Sequence, residues 1–70
     1  MKKTFYRRET NESKYSDLGD WKFDNLPRQN DIIVYNHSIY YKIDFVVFNT
    51  DENAENIKIY SSRIEDPTNH

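Results

Sequence analysis

The chain has 70 residues, a net charge of −2 and no cysteine. Its length sets one small domain at most, and the missing thiols exclude disulfides, thiolate metal sites and a cysteine nucleophile. A charge so near neutrality builds no field that would by itself hold nucleic acid or an anionic membrane.

A domain of this size buries only about 60% of the surface its unfolded chain exposes. Small scaffolds therefore need a staple. With disulfides gone, a homo-oligomer or a protein partner is the staple expected. Lack of cysteine also fits a reducing compartment. Hydropathy is low, but one Trp, six Tyr and four Phe argue against disorder. Lys2 and Lys3 are followed by no apolar run of the signal-peptide kind. No stretch approaches the roughly 20 apolar residues of a membrane helix. The expectation is a cytoplasmic protein with no membrane partner. Charge is uneven: residues 1–28 hold seven basic and five acidic side chains (+2), and residues 29–70 hold three and seven (−4).

Lys3 to Arg8 alternates weakly around Thr4, Phe5 and Tyr6 and predicts a short strand. Its basic residues suit a sheet edge, where charge discourages stray pairing. Thr10 to Leu18 is the one helix candidate, with Thr10 or Asn11 as cap and Gly19 at the C-terminal stop. One turn of helix or a plain loop both fit it. Trp21-Lys22-Phe23 reads as a brief strand, ended by Asp24 to Pro27.

Asp31 to Phe48 dominates the chain. Asp-Ile-Ile-Val-Tyr, a polar Asn-His-Ser break and Ile-Tyr-Tyr-Lys-Ile-Asp-Phe-Val-Val-Phe predict a β-hairpin. A two-residue loop at Asn36-His37 sets Asp31 against Lys42, a cross-strand pair worth roughly 0.2–1 kcal/mol. A three-residue loop wastes both charges, so the shorter loop is preferred. Ile32, Val34, Ile39, Tyr41 and Ile43 then share the core face. Asn36 suits the positive φ of a type I′ turn. After an acidic connector, Ile57 to Ser62 alternates again. The plain register sets Val47 by Ile57 and Phe45 by Ile59. A bulge near Asp44 would instead pair Phe48 with Ile57 and Val46 with Ile59. The plain register is preferred on economy.

These elements predict a mainly β fold: a small antiparallel sheet or partly open barrel of about five strands, with at most one short helix. One domain is expected over 1–66, with 67–70 a flexible tail. Residues 27–64 form a three-stranded meander in this reading. The N-terminal strand, Trp21 and Phe23 are the candidates to cover its apolar face.

The run Leu26-Pro27-Arg28-Gln29-Asn30-Asp31-Ile32-Ile33-Val34, a tight turn, Tyr41-Lys42-Ile43 and Val46-Val47 resembles the opening of many SH3-like small barrels. Similar strings occur in short uncharacterised proteins of bacteria and their phages. Those usually carry Gly where this chain has Asn30, and Asn-Gly where it has Asn36-His37. The resemblance covers residues 26–60. It implies a small barrel and, by analogy, a binding rather than a catalytic role.

Catalytic constellations are missing from the residues. His37 and Ser38 are neighbours in a turn, so neither is poised on the other. Asp51 to Glu55 echoes a calcium loop, but Asn56 stands at the sixth position where Gly is needed and Ser62 at the twelfth where Glu is needed. A single Gly leaves no phosphate loop. No catalytic residue, metal ligand, cofactor or small-molecule substrate is therefore expected. The predicted second face carries Ile33, Tyr35, Tyr40, Phe48 and Tyr60, too apolar to idle in water. These residues are the candidate partner-binding set, and self-association through them is the first expectation. The alternative is nucleic acid held by Lys2, Lys3, Arg7, Arg8, Trp21 and Lys22, where bases would stack and lysines would meet phosphate.

Overall fold

The computed structural model describes residues 2–49 and 56–68. Among these residues five strands form one sheet: β1 (Lys2–Arg8), β2 (Ser16–Asp20), β3 (Ile32–Tyr35), β4 (Ile39–Phe48) and β5 (Asn56–Ile64). Their spatial order is β2-β1-β5-β4-β3, with β1 parallel to β5 and the other pairs antiparallel. The sheet curls into a half-barrel, and no helix occurs among the described residues. The expected mainly β, partly open small barrel is therefore the fold. The β3-β4-β5 meander is present as expected.

β1 does not lie at an edge. It pairs along β5 on one side and β2 on the other. It therefore widens the sheet instead of covering it. The helix candidate is a hairpin: residues 9–15 turn the chain, and Ser16–Asp20 runs back along β1. Gly19 lies within β2 at φ 113°. That backbone state suits glycine, and it accompanies a register shift that leaves Leu18 without a cross-strand partner. Trp21 to Phe23 is irregular chain rather than strand. The Trp21 N–H still donates to the Lys3 carbonyl at 2.8 Å, continuing the β1–β2 ladder by one residue.

The central hairpin takes the three-residue loop. Tyr35 pairs with Ile39, Ile33 with Tyr41 and Ile32 with Lys42. Asn36 and His37 both hold positive φ (53° and 68°), as a type I′ turn requires, but Ser38 joins the loop as well. Because side chains alternate, the one-residue slip turns over all of β3. Ile33 and Tyr35 lie on the inner, core face, and Ile32 and Val34 on the outer face. The charge pairing that favoured the shorter loop is replaced. The Asp31 carboxylate accepts from the Arg28 N–H at 2.8 Å, and the Asp31 carbonyl accepts from Ile43 N–H. Asn30, at φ 75°, donates to the Ile43 carbonyl in the same place. This is the pattern of a bulge whose first residue is left-handed.

The preferred plain register of β4 and β5 is also overturned. The ladder shifts between Ile43 and Phe45, so Val46 pairs with Ile59 and Phe48 with Ile57. The skipped residue is Asp44. The shift keeps apolar residues inside along all of β4: Ile39, Tyr41 and Ile43 before it, Val46 and Phe48 after it. The buried core is Phe5, Tyr41, Ile43, Ile57 and Ile59, with Leu18, Trp21, Leu26, Ile33, Ile39 and Val46 packed around it. Trp21 thus covers the core as expected, its ring 5.5 Å from Phe5. Phe23 contacts Trp21 but is 65% exposed. Past β5, Asp66 accepts from the N–H and hydroxyl of Thr68. Those bonds, and a weaker one from Tyr40, hold its carboxyl below the ordinary range.

Candidate functional site

Register decides what each face offers. Of the expected partner-binding set, Tyr40 and Tyr60 lie on the outer face. Ile33 and Tyr35 turn inward with the slip of β3, and Phe48 turns inward with the bulge at Asp44. The five residues therefore do not form one patch. Alternation alone could not have found this, because each displaced residue lies beyond a one-residue irregularity.

In their place the outer face brings up Phe45 and Val47, set opposite Tyr60 and Lys58. Tyr6 and Tyr60 stack at 4.8 Å, Tyr60 and Phe45 at 4.7 Å, and Tyr15 meets Tyr60 and Phe45 edge-on. Such pairs contribute about 0.5–1.5 kcal/mol beyond burial. Tyr15 reaches the group from the β1–β2 loop. Beside the rings lies a polar knot. The Asp44 Oδ2 accepts from the Tyr15 hydroxyl at 2.8 Å and from the Ser62 hydroxyl at 2.6 Å. Arg8 donates to the Ser62 Oγ and lies over the Tyr15 ring. Burial first, and the bond and charge of Asp44 second, push the Tyr15 phenol up.

A second knot sits at one end of the inner face. Glu9 bridges Arg7 at 3.3 Å and Arg63 at 3.0 Å, and accepts from the Tyr41 hydroxyl at 3.3 Å. A hydrogen bond with Tyr41 is the main reason the Arg7 guanidinium stays protonated beyond its ordinary range. In both knots each carboxylate meets arginine or hydroxyl donors from separate parts of the chain, which ties the sheet together.

The basic residues split. Lys2, Lys3, Trp21 and Lys22 line one cleft of about 250 Å³. Asp20 and Asp24 line it too, and Lys3 Nζ is held by the carbonyls of Phe23 and Asp24. Arg7 and Arg8 lie at the other end of β1, on opposite faces, engaged in the two knots. The six residues thus make a short mixed-charge cleft and two structural arginines, not one basic stripe. No group of three or more His, Asp or Glu side chains suited to a metal occurs among the described residues. The calcium-like segment, Asp51 to Glu55, lies outside the described residues, as does His70.

The open side of the half-barrel is a further apolar surface. Its two edge strands are β2 and β3. A groove of about 370 Å³ lies between them, lined by Leu18, Trp21, Phe23, Ile33 and Tyr35 among others. It adjoins one of about 640 Å³ that follows β3 beside residues 21–27. Ile32 and Val34 are 46% and 54% exposed on that edge. A partly open barrel with an edge to which a strand could add was expected; the fold places that edge on β3.

The fold and this edge together define a small all-β half-barrel with an unclosed seam. Comparison with protein-family models, with curated proteins and with solved structures finds no match for the chain.

Proposed function

We propose that this protein is a non-enzymatic protein-interaction module that associates with itself, of the small accessory kind its hairpin resembles in bacteria and phages. One observation carries the reading. Among the described residues five hydrophobic ones are buried, whereas seven large ones are exposed: Phe23, Ile32, Val34, Tyr35, Phe45, Val47 and Phe48. A monomer so small gains little from a core of that size. Covering the exposed residues supplies what the core lacks. The reading assigns the two polar knots to holding strands together and gives them no catalytic part. It takes the cytoplasm as the site of action; no described helix is long and apolar enough to cross a membrane.

The nucleic-acid reading rests on the cleft of Lys2, Lys3, Trp21 and Lys22 and ranks second, because Asp20 and Asp24 offset two of its three lysines. Light scattering after gel filtration separates the two. Self-association gives a mass of twice 8.5 kDa or more, unchanged between about 0.05 and 0.5 M salt. Retention on a single-stranded oligonucleotide that disappears over that salt range, with a monomer mass throughout, would reverse the ranking.

A further inference from the structure

We infer that the free edge of β3 pairs antiparallel with β3 of a second copy, joining two half-barrels into one continuous ten-stranded sheet. The inference rests on the self-association reading and names its surface. Backbone geometry comes first. Asn30 and Asp31 exchange hydrogen bonds with Ile43, so alternation makes Ile33–Tyr41 and Tyr35–Ile39 the bonded pairs of the β3–β4 ladder. Ile32 and Val34 then turn their N–H and C=O groups to the open edge. An unpaired edge is a template for another strand.

Charge selects the occupant. The two edges of this sheet are treated differently. β2 reads Ser-Asp-Leu-Gly-Asp. It carries two carboxylates and a register shift, and Asp17 Oδ1 already takes the Gly19 N–H at 2.7 Å. A second β2 laid beside it would set carboxylates near carboxylates. β3 reads Ile-Ile-Val-Tyr, with no charge, no proline and no bulge within it. Laid against its own copy, it meets no like charge and covers apolar side chains on both sheet faces. A charged peptide would gain nothing from it. The strand is therefore complementary to itself, which is what a two-fold interface demands. Ile32 and Val34, 46% and 54% exposed, stand free on this edge.

The free backbone groups also set the register. Bonded partners must both turn their backbone groups to the edge, and using both such residues of each β3 sets Ile32 against Val34 of the second copy and Val34 against its Ile32, with the two Ile33 residues on the axis. This gives four backbone hydrogen bonds across the two-fold.

The register supplies its own test. Both Ile32 and Val34 are exposed within one copy, so polar replacements leave the core intact. Val34→Lys should weaken the dimer at least tenfold by analytical ultracentrifugation. Adding Ile32→Glu to the same chain should restore it, since each new Glu meets a new Lys across the axis and also faces Lys42 within its own sheet. A Val34→Lys chain that stays dimeric overturns the inference, and so does failure of the second change to restore the dimer. Near-ultraviolet circular dichroism of Trp21 checks that each variant is folded. Dimers lost only in Phe45→Lys would keep the self-association reading and remove β3 as its site. A wild-type chain that is monomeric at every concentration would remove both.

Discussion

Asp44 shows how much one residue can organise. It occupies the irregularity of β4, where the chain cannot place it in the ladder opposite a partner. Its carboxylate there gathers Tyr15 from a loop, Ser62 from β5 and, at 3.9 Å, Arg8 from β1. The bond to Tyr15 has a consequence for pH. The Tyr15 phenol is pushed above the ordinary tyrosine value of 10.0 by burial first and Asp44 second. The folded chain thus holds this proton more tightly than the unfolded chain. Its contribution is whole below pH 10 and is lost as pH rises through the folded pKa. Wild type should exceed Tyr15→Phe by about 1 kcal/mol near pH 8, the worth of one hydrogen bond. Urea unfolding at about pH 11 should find that margin reduced. A margin constant with pH would mean that Tyr15 carries no raised pKa.

At the level of elements, two one-residue irregularities decide which way β3 and the end of β4 present their side chains. The hairpin loop takes in Ser38, and the Asp31 carboxylate bonds the Arg28 N–H instead of facing Lys42. The irregularity at Asp44 lets Val46 and Phe48 continue the apolar face begun by Tyr41 and Ile43. Paired substitutions read the second one out. Val46 packs on the core, whereas Val47 stands on the outer face opposite Lys58. Val46→Asp should therefore cost about 2 kcal/mol or more, for a carboxylate placed against apolar neighbours. Val47→Asp should cost under about 0.5 kcal/mol, since it gains a cross-strand partner. Equal losses in denaturant titrations of the two variants would return β4 to the plain register.

For the whole molecule the central fact is an unclosed seam. The half-barrel spans 46 × 26 × 19 Å and leaves β2 and β3 each with one free side. If a second copy completes the structure, folding and association are linked. The melting temperature of the wild type should then rise by several degrees over a roughly hundredfold range of protein concentration. Val34→Lys, which replaces an exposed side chain, should melt lower and independently of concentration. A wild-type melting temperature that does not move with concentration would uncouple the fold from any partner copy.

Alternation of β-branched and aromatic residues was enough to determine the class of fold, the meander of β3, β4 and β5, and the inward set Ile39, Tyr41, Ile43, Ile57 and Ile59. Those are local properties, since a period of two needs only neighbours in the chain. The left-handed turn at Asn36 was equally legible, because few other residues accept that φ. The tertiary structure alone decided the parity of β3 and of the end of β4. Parity depends on a single extra residue, Ser38 in the hairpin loop and Asp44 in β4, and alternation along the chain does not say where that residue falls. It alone decided that β1 lies inside the sheet, because parallel pairing with β5 joins segments some fifty residues apart. The open β3 edge follows from that arrangement: with β1 spent on widening the sheet beside β5, no strand among the described residues remains to close the far side.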